Sequence, residues 1–163
     1  MTKNIPIIIL AAGLCLCAWP AAEGSETKVS LDKIPAAAAK ALKEQAGDEK
    51  ITNLSKEKDD GKTVYEATFT KKGRVHDVTV GEDGKLISDE ETIPVSEAPK
   101  AVLAAIEKEA PGGKIEKLER IKEGGKVSYE ALISAKGKRE EIKFDAKGKV
   151  LEREDKGKGK DKD

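Results

Sequence analysis

The sequence predicts an α+β fold of two tandem repeats, each one helix packed on a four-stranded antiparallel β-meander. The chain matches itself without a gap at a shift of 64 residues, from Val29 to Asp155. In each copy a helix-length segment follows a proline, and short alternating runs separated by glycines fill the remainder. An internal repeat of this size is typical of one supersecondary unit that pairs with its copy.

The repeat is visible in its landmarks. Tyr65-Glu66-Ala67 recurs as Tyr129-Glu130-Ala131. A matching tripeptide is weak evidence alone, but other positions keep the same separation. These pairs are Pro35 and Pro99, Ile51 and Ile115, Gly73 and Gly137, and Gly84 and Gly148.

Residues 1–24 are predicted to be a signal peptide. Lys3 supplies a positive n-region, Ile5 to Cys17 form an apolar h-region, and Ala22-Glu23-Gly24 offers a cleavage site before Ser25. The apolar run is shorter than the roughly 20 residues of a membrane-spanning helix. We therefore expect export without stable membrane insertion once the leader is cleaved.

Both cysteines lie inside this leader. A lipobox requires a small residue before the cysteine, whereas Leu14 and Leu16 precede Cys15 and Cys17, so the sequence disfavours a lipid anchor at either one. A mature chain cleaved as predicted has no cysteine, although export normally permits disulfides. The expected location is periplasmic or secreted.

Each copy begins with a predicted helix. Asp32 and Ser96 occupy equivalent positions and suit an N-cap, because their side-chain oxygens can accept hydrogen bonds from free amides of the first turn. Pro35 and Pro99 then fall in that first turn, where a missing N–H costs little.

Four short strands are predicted after each helix. In the second strand, Tyr65, Ala67 and Phe69 alternate with Glu66 and Thr68. Period-two alternation places the first set under the helix and the second set outward. Short glycine turns between such runs predict a meander.

The predicted boundaries follow from this pattern. Repeat 1 covers residues 25–91 and repeat 2 covers residues 92–155, with Asp89 to Thr92 as a short linker. Residues 156–163 have no apolar side chain to bury, so we expect a disordered charged tail.

The order of these motifs resembles the PepSY-like family of exported bacterial domains, which is often described together with β-lactamase-inhibitor-like proteins. The resemblance covers residues 29–91 and 93–155. It implies an α+β fold with a helix on one sheet face and a non-catalytic binding role in the cell envelope or outside the cell. PepSY domains occur in peptidase propeptides and are thought to restrain peptidases. The two-copy arrangement looks like that of a β-lactamase inhibitor, whose paired sheets form a concave binding surface.

Composition and inventory argue against other functions. Lys plus Arg equals Asp plus Glu at 31 each, which is unlike the basic patch of a nucleic-acid binder. His76 is the single histidine, so neither a Cys/His zinc site nor a Ser-His-Asp triad is supported. Asp59-Asp60 and Glu82-Asp83 lack the spacing of a calcium loop. We expect no enzyme and no cofactor.

What remains is the outward sheet face, which either receives a protein loop or is the ordinary surface of a sheet. The two tyrosines are also open to a core-packing interpretation. The expected partner is an exported protein such as a peptidase or β-lactamase; the alternative is a structural or stress-related envelope protein without an enzyme target. The candidate binding surface comprises Glu66, Thr68, Glu130, Leu132, Arg139, Glu141, Tyr65 and Tyr129.

Overall fold

The computed structural model describes residues 26–59 and 61–158. The predicted leader, with Cys15 and Cys17, lies outside the described residues, as do residues 159–163 of the predicted tail. The strands form one antiparallel sheet in which every strand neighbours the next along the chain. Their bounds are β1 Thr27–Lys28, β2 Ile51–Asp59, β3 Lys62–Lys71, β4 Arg74–Gly81, β5 Leu86–Thr92, β6 Lys114–Glu123, β7 Lys126–Ala135, β8 Lys138–Asp145 and β9 Val150–Lys158.

The predicted fold class is therefore wrong. The sequence predicts two four-stranded units, whereas the described residues form a mostly-β protein with a single nine-stranded sheet and only two short helices. The predicted linker, Asp89 to Thr92, is the second half of β5 and pairs with β6, with Glu91 opposite Arg120. Backbone groups at a strand edge need partners, and pairing across the repeat boundary supplies them. We call the β5–β6 pairing the seam.

The hairpin turns between β3 and β4 and between β7 and β8 have the predicted Lys-Gly composition. Lys72 and Gly73 have φ of 51° and 77°, and Lys136 and Gly137 have φ of 52° and 75°. Positive φ at both central residues is the mark of a type I′ turn, whose twist matches that of the flanking strands.

The two helices begin later than predicted. Helix α1 spans Ala36–Ala46 and α2 spans Lys100–Glu109, so the prolines precede them. Asp32 and Ser96 lie in short 3₁₀ turns, and their predicted N-cap roles are wrong. A residue before proline is driven out of the helical region, which prevents the helix from starting earlier.

Both helices lie on the same face of the sheet, each over its own apolar core. Under α1 lie Leu54, Tyr65, Ala67, Phe69, Val78 and Val80. Under α2 lie the equivalent Leu118, Tyr129, Ala131, Ile133, Ile142 and Phe144. The predicted placement of Tyr65, Ala67 and Phe69 under the helix is confirmed.

Each helix also sits directly on a glycine in a turn between two strands, Gly84 between β4 and β5 and Gly148 between β8 and β9. A Cβ at Gly84 would lie 2.6 Å from the Ala37 carbonyl oxygen, and one at Gly148 would lie 2.4 Å from that of Ala101. Both glycines have positive φ, so the turn and the close approach of the helix require the same residue.

Within residues 26–59 and 61–158, neither helix is long and apolar enough to cross a bilayer. Strand β9 continues to Lys158, so the first three residues of the predicted tail belong to the sheet.

Candidate functional site

No described element covers the sheet face opposite the helices, which we call the open face. Residues that face each other across neighbouring strands share a face, so the registers of β2 to β9 define its members. They include Glu66, Thr68, Asp77, Thr79, Ser88, Glu90, Glu119, Ile121, Glu130, Leu132, Arg139, Glu141 and Lys143.

The predicted site residues divide between the two faces. Glu66, Thr68, Glu130, Leu132, Arg139 and Glu141 lie on the open face and are partly buried. Tyr65 and Tyr129 lie in the two cores beneath the helices and are 4% and 9% exposed. The open face therefore presents carboxylates and aliphatic side chains but not the tyrosines.

Four glutamates from four strands gather at the centre of the open face. Glu90, Glu119 and Glu130 each bring an oxygen within 4.8 Å of the others. Glu66, on β3, acts electrostatically on Glu90 from the repeat 1 side. We call these four residues the carboxylate cluster.

The glutamates of the carboxylate cluster are partly buried and have too few cations beside them to balance their charge. Desolvation raises the pKa of Glu66, Glu90 and Glu130 from 4.5 to about 7. Repulsion from neighbouring carboxylates contributes to this increase in pKa. The neighbour is Asp77 for Glu66, Glu119 for Glu90, and Glu141 for Glu130. Within the sheet, Glu119 and Glu130 are directly opposite each other, a placement that like charges disfavour.

Two lysines supply part of the missing charge. The Lys117 ammonium lies 2.8 Å from Glu119, whose side chain is 4% exposed. Lys143 lowers the pKa of Glu90 and Glu130, although burial outweighs it at both. The carboxylates on the open face outnumber these cations, so the cluster carries an excess of negative charge above about pH 7.

Glu90 and Glu119 were missed by sequence reasoning because the first falls in the predicted linker. The repeat register also gives no hint, since it equates Glu90 with Glu154 and Glu119 with Ser55. The alternation Ser88, Glu90, Thr92 is the one signal that could have indicated a strand continuing to the seam.

The covered side of the seam holds a compensated network. Glu91, whose side chain is 10% exposed, forms salt bridges with Arg74, at 2.6 Å, and with Arg120. Burial raises the pKa of Glu91, but the hydrogen bonds from Arg120 and Arg74 outweigh it and hold the pKa below its ordinary value. Arg74 also reaches Glu97, next to α2.

His76 belongs to the same side. Its ring is stacked on Phe69 with centroids 5.5 Å apart, and its Nδ1 lies 2.9 Å from an Asp89 oxygen. Lys122 approaches the second Asp89 oxygen at 3.4 Å. The histidine thus has a packing and pairing role between β4 and β5.

Two hollows lie at the turn end of the open face and meet at Glu123 and Gly124. The first has a volume of 640 Å³ and includes Val64, Leu86 and Ile87. The second has a volume of 770 Å³ and includes Val127 and Leu151. Leu151 is 51% exposed and Ile87 is partly exposed, so each hollow includes some uncovered apolar surface. Leu86 and Val127 pair with Val80 and Lys122 and therefore belong to the covered face.

Comparison with known proteins gives the same architecture. A structure from Bacteroides eggerthii, described as "putative periplasmic proteins", aligns at a TM-score of 0.63 with 19% identity over 75% of this chain and 88% of that chain. A BLIP-like protein from Bacteroides fragilis aligns at 0.58 with 18% identity over 80% and 92%. At these identities the likeness shows the fold alone. No curated protein sequence matches.

A family model described as "Putative beta-lactamase-inhibitor-like, PepSY-like" matches residues 17–88 and again residues 87–152. The two matches cover most of the chain and reproduce its internal repeat. The chain belongs to the PepSY-like, beta-lactamase-inhibitor-like family.

Proposed function

We propose that this protein is an exported, non-catalytic binding module that acts through its open face on another exported protein, such as a peptidase or a β-lactamase. The observation that carries the proposal is the open face itself. Both helices cover one side of the sheet, and the other side is left with partly buried carboxylates and two hollows lined by charged and apolar side chains.

Export is supported by two independent observations. The first 24 residues have the charge and apolar pattern of a signal peptide. The similar structure from Bacteroides eggerthii is described as periplasmic. A periplasmic or secreted location brings the open face into contact with exported enzymes.

The non-catalytic part rests on the chemistry present. The one histidine is stacked and paired on the covered side, and residues 26–59 and 61–158 contain no cysteine. On the open face, the hydroxyl of Thr68 donates to Asp77, but among the described residues this pair has no histidine or cysteine beside it to complete the base and nucleophile of covalent catalysis.

The test uses the mature chain as bait in a pull-down of the exported proteins of the organism that makes it. A binding assay with the recovered protein follows. A Thr79→Arg/Leu132→Arg variant places bulky cations on the open face. It should lose the partner while keeping the wild-type melting temperature. The matched control, Ala36→Arg/Ala104→Arg, adds the same two cations at exposed positions of the helices and should retain it.

Recovery of one peptidase or β-lactamase in stoichiometric amount, lost only with the open-face variant, supports the proposal. A partner lost only with the helix variant would move the binding surface to the other side. Recovery of no partner would favour the alternative of a structural envelope protein.

A further inference from the structure

We propose that the open face binds a segment of its partner protein that presents an arginine or lysine to the carboxylate cluster and apolar side chains to the two hollows. This inference rests on the proposed binding function and specifies the chemistry of the partner.

The charge of the open face favours a cationic group. Glu66, Glu90 and Glu130 are each more than half buried, and each is surrounded by other carboxylates. A guanidinium or ammonium placed among them would replace lost hydration with charge-assisted hydrogen bonds, which are about twice as strong as neutral ones. An acidic or purely apolar segment would leave these carboxylates desolvated and unpaired.

The cations already present are paired with other carboxylates. Arg139 binds Glu116 at 2.8 Å, and Lys156 binds Glu141 at 2.6 Å. Lys117 is held at Glu119 and remains 42% exposed. Lys143 is directed to Glu123, at 3.7 Å, on the side of the hollows. Neither Glu90 nor Glu130 has a described cation in hydrogen-bond contact.

The anchor residue should come from the partner because the open face lacks aromatic anchors. The tyrosine and phenylalanine rings of the described residues are all in the covered cores: Tyr65, Phe69, Tyr129 and Phe144. Interface hot spots are enriched in tryptophan, tyrosine and arginine. A face without the first two can be recognised through an arginine supplied from the other side.

The hollows give the expected segment a length. The first includes residues at the end of β4 and the second includes the equivalent residues at the end of β8, and these strands are roughly 19 Å apart at the usual strand spacing. An extended segment spans that distance in about six residues. Apolar side chains near both ends would then cover Ile87 in one hollow and Leu151 in the other.

The probes are two short synthetic peptides that differ in one group: a central arginine, flanked on both sides by serine and leucine, or citrulline, its neutral counterpart. Binding to the isotopically labelled mature protein is followed by amide chemical shifts, with EDTA present to remove metal ions. The arginine peptide should shift amides of β5, β6 and β7, with about tenfold higher affinity than the citrulline peptide.

Variants separate this inference from the proposed function. Glu90→Gln/Glu130→Gln should remove the preference for arginine and leave the affinity for citrulline unchanged. Ile87→Ser/Leu151→Ser removes apolar surface from both hollows and should weaken both peptides equally. The control Glu44→Gln/Glu49→Gln makes the same change in net charge on the helix side and should preserve the preference, so a non-specific charge effect is visible.

Equal affinity for the two peptides, shifts confined to the covered side, or no binding would each overturn this inference. If a partner recovered by pull-down still needs the open face but is indifferent to Glu90→Gln/Glu130→Gln, the proposed function stands and the cationic segment is wrong. Loss of both the peptides and the partner would reject both.

Discussion

Glu90 and Glu91 are neighbours on β5 and have opposite environments. Glu90 points to the open face, where burial and nearby carboxylates raise its pKa to about 7. Glu91 points to the covered face, where Arg74 and Arg120 hold its pKa below its ordinary value despite its burial. Because side chains alternate along a strand, one step in sequence exchanges a compensated site for an uncompensated one.

The difference shows what each side of the seam does. On the covered side, buried charge is matched and ties β4, β5, β6 and the turn before α2 together. On the open side, the buried carboxylates have too few neighbouring cations to balance their charge. A buried carboxylate without its partner costs stability, so a protein that retains several at one surface has free energy to recover when a cation binds.

Among variants that compare the two sides of the seam, Glu91→Gln should change stability most, because it removes the charge between two arginines. It should destabilise the protein by about 2–3 kcal/mol, somewhat less than a fully buried pair, because both arginines keep some contact with water. Urea unfolding of this variant and of Glu97→Gln measures it. The more exposed Glu97 should contribute below about 1 kcal/mol. Equal losses would show that the network is not held by Glu91.

The triple variant Glu66→Gln/Glu90→Gln/Glu130→Gln should increase the free energy of unfolding, whereas Glu91→Gln should decrease it. The raised pKa values of Glu66, Glu90 and Glu130 mean that the folded protein keeps protons that the unfolded chain releases, so wild-type stability falls as pH rises from about 4.5 to about 7. At about pH 8 the triple variant should be roughly 1–2 kcal/mol more stable than wild type, after allowance for solvent screening.

Thermal unfolding across this pH range measures the effect. The advantage of the triple variant should vanish as the pH falls below about 4, where these glutamates are mostly protonated in both states. Glu91 acts in the other direction: its lowered pKa contributes stability that is lost as the pH falls below the ordinary range of a glutamate. A triple variant that is less stable than wild type at about pH 8 would contradict the assignment.

A smaller effect is expected from the lysines of β6. Lys117→Met leaves Glu119 buried without its cation and should cost about 1 kcal/mol near neutral pH. Lys122→Met, on the covered face, removes a longer and more exposed pair with Asp89 and should cost less than about 0.5 kcal/mol. Urea midpoints compare the two, and a reversed order would show that Glu119 does not depend on Lys117.

The smallest effect concerns Thr68, whose hydroxyl donates to Asp77 at 2.6 Å on the open face. Thr68→Val keeps the shape and removes the donor, and should cost about 0.5–1 kcal/mol. The exposed Thr70→Val is the matched control and should be near neutral. A loss shared by both variants would point to strand propensity instead of the hydrogen bond.

Much of the local structure could be predicted from sequence because it depends on neighbours in the chain. Alternation placed Tyr65 and Phe69 under a helix and Glu66 outward, and the Lys-Gly turns are where they were expected. The helix starts were misjudged because an N-cap pattern at Asp32 was weighed above the constraint that Pro35 places on the residue before it.

The seam could not be predicted in the same way. Asp89 to Thr92 is polar and short, which is also typical of a linker, and whether it is a strand depends on β6, which begins after an intervening helix. The carboxylate cluster was missed with it. Its members come from β3, β5, β6 and β7, and non-equivalent positions of the two repeats contribute Glu90 and Glu119.

The sequence alone determined the repeated unit, its 64-residue register and the side chains that each copy turns toward its helix, because these follow from periodicity and turn chemistry within one copy. Only the tertiary structure decided that the two copies share one sheet and that four glutamates meet there. Strand pairing across the boundary satisfies backbone groups of both copies, and that pairing brings together charges that are distant in sequence.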